Sequence, residues 1–467
     1  MKFLLDTVIV LISNVIMIIS GIVVGFILPK ILSVNDYGYY KTFTLYVTYL
    51  GLFSVGFVDG IVLKYGGFNY EQLEKCRFRK YYRYYIFIQA IWTFLICTIS
   101  FLIKSAHLKQ LLLFLAINLL FLNTIGYFRQ ISEITQRFRE YTIIKLANSF
   151  LTIASVIVMC LLKPSVRINA NIFIVITLLI NAIISIWYLA IYRGIVFGSA
   201  KTPEVSFKDV VNLCKLGFPL MIANLCSTLI LTIDRQFVNV LFDNETYAVY
   251  AFAYNLLSLL TVATTAASTV LYPYLKRSDK ESMAQNYEKY VVLLSIMVFL
   301  AIACYFPLQI IIRRFLPQYE KALPIFRVVL PGLPLTSSIT VIMHNYYKTA
   351  GKSNLYFRRS FIILIVSLLA NIIAYALFKS PVSISVASIV VIVVWYLYID
   401  SYFSSIYTYD RKKILVYLLL AAFGFYVSTS LTSVVLSGVI YIAFYALITM
   451  LFWHSIIKST WIKSNKT

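Results

Sequence analysis

Six charged residues stand inside long apolar runs: Lys41, Asp59, Asp234, Arg235, Arg327 and Asp400. A charge at the centre of a bilayer costs from ~2.5 to more than ~10 kcal/mol. Each therefore needs a partner, a route to the interface, or a task. Snorkelling would serve Lys41, Arg235 and Arg327, whose long side chains can reach polar ground two turns away. The alternative is chemistry. Arginine presents a planar donor fork suited to phosphate, and lysine a point charge. Cations toward one membrane face and carboxylates (Asp59, Asp400) toward the other would suit an anionic head group moving outward. A carboxylate would then be available to a coupling cation. Asp234 and Arg235 project about 100° apart on a helix, so these neighbours are not expected to pair with each other. Lys41 and Asp59 would share a face of one continuous helix at ~27 Å, too far for an ion pair.

Hydroxyl and amide side chains mark the faces that could accompany these charges. Tyr250, Tyr254, Ser258, Thr261, Thr265, Ser268 and Tyr272 recur at steps of three and four, one face of a helix. Such a stripe either hydrogen-bonds to neighbouring helices or lines a wet cavity. The run is longer than helix pairing requires, which favours a cavity. Shorter versions are Tyr37, Lys41, Thr44 and Thr48, and Asn224, Thr228, Thr232 and Arg235. The prolines of "LPGLPLTSS" (330–338) and "LGFP" (216–219) permit kinks, and 205–216 reads as a surface amphipathic helix between two lobes.

The elements that must position these residues follow from composition. Of 467 residues, 61% are hydrophobic and 13% charged, about half the charge of a soluble domain. The chain reads as an all-α polytopic membrane protein of fourteen spans. They lie near 7–29, 37–62, 84–103, 109–129, 142–162, 170–192, 212–238, 246–272, 290–312, 322–347, 359–378, 384–408, 413–433 and 436–457. With the N-terminus inside, 29 of the 41 Lys and Arg fall in inside segments and 9 in outside loops. The bias places both termini in the cytoplasm. A net charge of +23 is thereby accounted for without nucleic acid. The six cysteines have no metal-ligand spacing and the three histidines are scattered, so neither a metal nor a cofactor is expected. The first apolar stretch is too long for a signal peptide.

An internal repeat runs at an offset of 210. "LPKILSVNDYGYYKTFTLYVTYLG" (28–51) aligns with "VNVLFDNETYAVYAFAYNLLSLLT" (238–261), and upstream Asn14 meets Asn224. Six spans separate the copies, so they run in the same direction, as in a parallel repeat. The expected organisation is an N-terminal lobe at 1–200, a C-terminal lobe at 201–409, each of six helices around a central cavity, and an extra hairpin with a cytoplasmic tail at 410–467.

"FILPKILSVNDYGYY" (26–40), "LCKLGFPLMIAN" (213–224), "IDRQFVNVLFDNETYAVYAFA" (233–253) and "NYYKTAGKSNLYFRRS" (345–360) resemble landmarks of polysaccharide-export flippases. These belong to the multidrug/oligosaccharidyl-lipid/polysaccharide transporter superfamily. The resemblance implies translocation of an undecaprenyl-diphosphate-linked oligosaccharide from the cytoplasmic to the outer leaflet of the bacterial inner membrane. It implies alternating access between two lobes, commonly ion-driven, in O-antigen or capsule synthesis, with a polymerase and glycosyltransferases as possible partners beside the membrane lipids. Carried onto this chain, it makes Arg235 and Lys41 the leading anion contacts and Arg327 the third. Asp59 and Asp234, with Asp400, become the ion-coupling candidates. Asn14, Thr44, Thr48, Asn224, Thr228, Tyr250, Tyr254, Ser258, Thr261 and Thr265 would line the cavity. Lipid II flippase relatives look richer in cavity arginines, whereas here Gly25 stands opposite Arg235 in the repeat.

The competing function is a cation-coupled multidrug or metabolite antiporter of the same superfamily. Three embedded cations against three carboxylates barely separate the two readings. An enzyme is not expected. The outside loops are short, and no His-Asp or His-Ser pair has a catalytic spacing.

Overall fold

In hydrocarbon every backbone amide and carbonyl must be satisfied within the chain, so long apolar runs become helices. The computed structural model describes the backbone of residues 2–163, 168–198 and 205–464. Side chains are described within those ranges except at 2–15, 18, 262, 263, 265–270, 272–274, 276, 277 and 457–464. No strand occurs among the described residues.

The first elements are α1 (Lys2–Ile31), α2 (Val34–Val47), α3 (Phe57–Tyr65), α4 (Lys75–Leu102), α5 (Ala106–Ile134), α6 (Phe138–Leu162), α7 (Ala170–Ile191) and the single turn α8 (Arg193–Val196). Then come α9 (Phe207–Leu241), α10 (Asn244–Arg277), α11 (Lys280–Ile302) and α12 (Tyr305–Phe315). The chain ends with α13 (Ala322–Val329), α14 (Leu333–Ser337), α15 (His344–Thr349), α16 (Ser353–Phe378), α17 (Pro381–Ile406), α18 (Arg411–Ser428) and α19 (Val434–Ser464). Each of the fourteen expected intervals contains helix, but not all of them qualify as membrane spans. By length and apolarity, ten helices among the described residues qualify as membrane spans, or eleven if one bent pair is a single span. The chain is a multi-pass membrane protein. The described residues group into two compact units, Met1–Thr232 and Ile233–Thr467, with the division inside α9.

Three local expectations need correction. The span expected at 37–62 is broken, because its two parts, Val34–Ser54 and Phe57–Tyr65, are bent by 60°. Val55 and Gly56 both lie in the left-handed region, at φ 51° and 76°, so Lys41 and Asp59 do not share the face of one helix. The break leaves carbonyls without helical partners, and buried amides satisfy them. Gln89 Nε2 donates to Phe53 O at 3.0 Å, and Asn123 Nδ2 donates to Leu50 O at 3.2 Å and to Gln89 Oε1 at 2.6 Å. Secondly, 205–216 is not a separate surface helix. From Phe207 it runs unbroken into α9, with Pro219 inside. Thirdly, 322–349 keeps helical dihedrals through its prolines. It passes through a 3-10 turn at Leu330–Gly332 and a π turn at Ser338–Met343. The missing proline donors are absorbed by changes of helical pitch rather than by a sharp kink.

Inside the first unit, α3 meets the start of α9 backbone to backbone. A Cβ on Gly60 would overlap the Leu213 carbonyl, and one on Gly217 would overlap the backbone of Gly56 and Gly60. The sequence "GFVDG" (56–60) is a small-xxx-small surface, the kind that lets membrane helices approach closely. Beside it lies an aromatic core. Tyr65, Phe78, Tyr81, Tyr82, Tyr85 and Tyr127 are all buried.

Candidate functional site

The repeat seen in sequence returns as two capped elbows. In the first unit Ser33 caps α2: Asp36 N donates to Ser33 Oγ at 3.1 Å, and Ser33 Oγ donates to Asp36 Oδ2 at 2.6 Å. In the second, Asp243 caps α10: Thr246 N donates to Asp243 Oδ1 at 2.8 Å, and Thr246 Oγ1 donates to Asp243 Oδ2 at 2.8 Å. The offset of 210 pairs Ser33 with Asp243 and Asp36 with Thr246. The same cap is thus built with hydroxyl and carboxylate exchanged, an N-cap and its third helical residue bonding reciprocally. Leu28 and Val238 are buried before each elbow, and Tyr37 and Tyr247 after it.

Above each elbow stands a cation on aromatic rings. Lys41 Nζ lies 5.2 Å from the Tyr37 ring centroid and 5.8 Å from that of Tyr40. The Arg235 guanidinium lies 4.8 Å from the Tyr254 ring centroid. Ring faces stabilise desolvated cations, by up to ~2 kcal/mol.

Asp234 receives its partners from the next helix. Tyr250 Oη donates to its Oδ2 at 2.8 Å, and Tyr254 Oη donates to the same oxygen. Arg235 Nε lies 4.0 Å from Oδ1. The expectation that Asp234 and Arg235 do not pair is therefore corrected. Their Cα–Cβ vectors diverge, but the long arginine folds back over Tyr254. The side chain of Asp234 is 3% exposed and that of Arg235 27%. Tyr250 is likewise withdrawn from the cavity lining expected of it, being fully buried with its hydroxyl on the carboxylate. Sequence reading placed both tyrosines on a water-facing stripe. The available signal was a buried-type carboxylate sixteen and twenty residues upstream of two hydroxyls on an adjoining helix.

The remaining stripe residues behave differently. Thr44, Thr48, Thr228, Ser258 and Thr261 each donate to a carbonyl of their own helix, three or four residues back. Such back-bonding satisfies the hydroxyl locally and does not bind helix to helix. Asn224, Thr48 and Ser258 are exposed. Asn14 and Thr265, with Ser268 and Tyr272, lie outside the described side chains.

Two further candidates are tied up elsewhere. Arg327 Nη2 donates to Tyr426 O at 3.0 Å and to Ser430 Oγ at 3.2 Å, gripping the end of α18. Asp400 is 2% exposed and paired with Arg411 at 2.8 Å. It also accepts from Tyr287 Oη at 2.9 Å and Tyr409 Oη at 2.7 Å. A coupling ion at Asp400 would have to displace one of these partners. Asp59, on the first turn of α3, stays half-buried. No cluster of His, Cys, Asp or Glu among the described residues could hold a metal ion.

The fold has known counterparts. The lipid II flippase MurJ in an inward closed conformation superposes with a TM-score of 0.71 at 16% identity, covering 97% of this chain and 100% of its own. A transporter of the MOP superfamily from Pyrococcus furiosus, described as having a binding pocket of reverse polarity, gives 0.56 at 13% identity, covering 86% and 93%. An outward-facing multidrug-resistance MATE transporter of that superfamily gives 0.52 at 13%, covering 86% and 93%. At such identities these likenesses establish the fold, which is that of MOP superfamily transporters. No curated protein sequence matches the chain. A family model described as polysaccharide biosynthesis protein matches residues 27–318. Both elbows and the Asp234–Arg235 site fall within that match, and the chain belongs to this family of polysaccharide biosynthesis proteins.

Proposed function

We propose that the protein is a flippase that carries an undecaprenyl-diphosphate-linked oligosaccharide from the cytoplasmic to the outer leaflet of a bacterial inner membrane. It would work by alternating access, with both termini cytoplasmic. One observation carries the choice over a cation-coupled drug antiporter. Asp234 and Asp400 are sealed by tyrosine hydroxyls and arginines, whereas Arg235 and Lys41 keep part of their charge accessible. The exposed charge embedded in apolar helix is therefore mainly positive, which suits a diphosphate and opposes a cationic drug. Membership in a polysaccharide biosynthesis family and the fold shared with a lipid II flippase support the same reading.

In this reading Arg235 in the second unit and Lys41 in the first are each a candidate diphosphate contact, and each is held by its own ring platform. Thr44, Thr48, Asn224, Thr228, Ser258 and Thr261 offer polar footing to the glycan. Arg327 is left out of the anion site because its guanidinium holds the α18 end. Asp59 is the carboxylate retained for ion coupling. A polymerase and glycosyltransferases would act on either side of the step. The test is lipid extraction from a strain lacking the gene, complemented with wild type, R235Q or K41Q. Undecaprenyl-diphosphate glycans should accumulate in the deletion strain and in R235Q, with surface polysaccharide falling roughly tenfold, the loss expected for a charge-assisted phosphate contact. Unchanged lipid-linked glycan together with raised drug sensitivity would overturn the reading in favour of the antiporter.

A further inference from the structure

We propose that a crevice at the head of α4 binds the phosphate of an anionic glycerophospholipid. The crevice has a volume of about 340 Å³ and is lined by Lys80, Arg83, Tyr84, Phe87 and Val205. That size falls in the range of small-ligand pockets. The four α4 residues recur at steps of three, one and three, a single helical face. Arg83 Nη2 donates to Gly198 O in the loop after α8, and beside the crevice Arg79 Nε donates to Gly194 O within α8, both at 2.9 Å. Tyr84 leans on Phe207, the first residue of α9, with ring centroids 6.3 Å apart. On that first turn Asp209 accepts from the amide and hydroxyl of Ser206, while the charged side chains that line the crevice, Lys80 and Arg83, are both cations.

The occupant follows from what adjoins this charge. Below Arg83 the same face continues as Phe87, Ile91, Phe94 and Leu95, all exposed, Phe87 by 64%. An amphipath with one anionic head and acyl chains matches both halves, with the phosphate on Lys80 and Arg83 and a chain along the apolar stripe. A free phosphate would leave the stripe bare, and a zwitterionic head group would lack the net charge. The site uses none of the residues proposed to contact the transported lipid. The charge-derived orientation enters only in naming the leaflet, which is the cytoplasmic one.

The experiment uses the full-length protein in nanodiscs of equal phosphatidylglycerol and phosphatidylcholine. Lipids retained through detergent extraction are then counted by native mass spectrometry. Wild type should retain phosphatidylglycerol over phosphatidylcholine by about tenfold. Lys80→Gln and Arg83→Gln should each cut that preference by about threefold or more, and Arg83→Lys should keep most of it. Arg139→Gln, an exposed cation on α6, should change nothing. Equal retention of both lipids by wild type overturns the proposal whatever the variants do. So does an equal loss in Arg139→Gln, which would mean general surface charge. Displacement of the retained lipid by undecaprenyl diphosphate at equal mole fraction also overturns it, because the crevice would then belong to the transported lipid.

Discussion

At the scale of single residues, the chemistry turns on how Asp234 is neutralised. It accepts from the hydroxyls of Tyr250 and Tyr254 on α10 and from the Arg235 backbone amide at 2.7 Å, with the Arg235 guanidinium at 4.0 Å, the outer edge of ion pairing. A buried acceptor left short of a donor costs about 1–3 kcal/mol, more for a charged one. Tyr254→Phe is therefore expected to lower the melting temperature in detergent by the equivalent of about 1–3 kcal/mol. The same change in an Asp234→Asn background should cost less, since the pair is coupled. Strictly additive losses would count against the hydrogen bond. The α10 cap offers a pH test. The amide and hydroxyl of Thr246 hold the Asp243 carboxyl below its ordinary range. Because the folded value is depressed, the cap's stabilisation is present above the unfolded value, about pH 3.9, and is lost as pH falls through the lower folded value. Asp243→Asn keeps a capping side chain without titrating. Wild type should lose melting temperature relative to this variant as pH falls below about 3.9, whereas parallel curves would remove the cap's role.

At the scale of elements, the broken second helix and the head of α9 are held by what is missing from their side chains. Gly60 and Gly217 have no space for a Cβ, whereas Gly51 has nothing within 4 Å of one. Overpacking of this kind costs about 1–3 kcal/mol. Gly60→Ala and Gly217→Ala should each destabilise the protein by that amount in thermal unfolding, with Gly51→Ala near wild type. If all three behaved alike, the backbone contact would not be what secures α3 to α9. The small-xxx-small spacing of Gly56 and Gly60 gained its meaning only from the α9 backbone packed on it. The break at Val55 was not legible in the sequence, because isolated glycines such as Gly56 among Val and Phe are also common inside unbroken membrane helices. Only the buried amides of Gln89 and Asn123, on helices 34 and more residues away, make the break affordable.

At the scale of the whole molecule, a set of long-range polar contacts fastens α18 and α19 to the rest of the second unit. Asp400 holds Arg411 and Tyr409 at the start of α18. Arg327 holds the carbonyl of Tyr426 near its end. Tyr441 and Tyr445 donate from α19 to the carbonyls of Phe299 and Ile296, each at 2.7 Å. Asp400 is buried but the Arg411 side chain is 33% exposed, so stranding Asp400 should cost less than the ~3–5 kcal/mol of a fully buried pair. Arg411→Met should show that loss in thermal unfolding, and Asp400→Asn added to it should restore a good part. No restoration would mean that Arg411 acts through packing alone.

Sequence by itself determined the class, the helical intervals, the charge bias and the repeat. Each of these is written in local composition: apolar length must match a bilayer, and the repeat survives as capping residues and tyrosines at fixed spacing. It also marked Asp234 and Arg235 as residues needing a reason. The tertiary structure decided what that reason is. Whether a carboxylate in an apolar helix is an ion site or a sealed node depends on donors from other helices, such as Tyr250 and Tyr254 for Asp234, and Tyr287, Tyr409 and Arg411 for Asp400. No periodicity along one helix records which neighbour will supply them. That pairing left Arg235 as the accessible charge of its elbow and turned Arg327 to the α18 end. Burial and partnership are properties of packed helices, and they separated groups that looked equivalent along the chain.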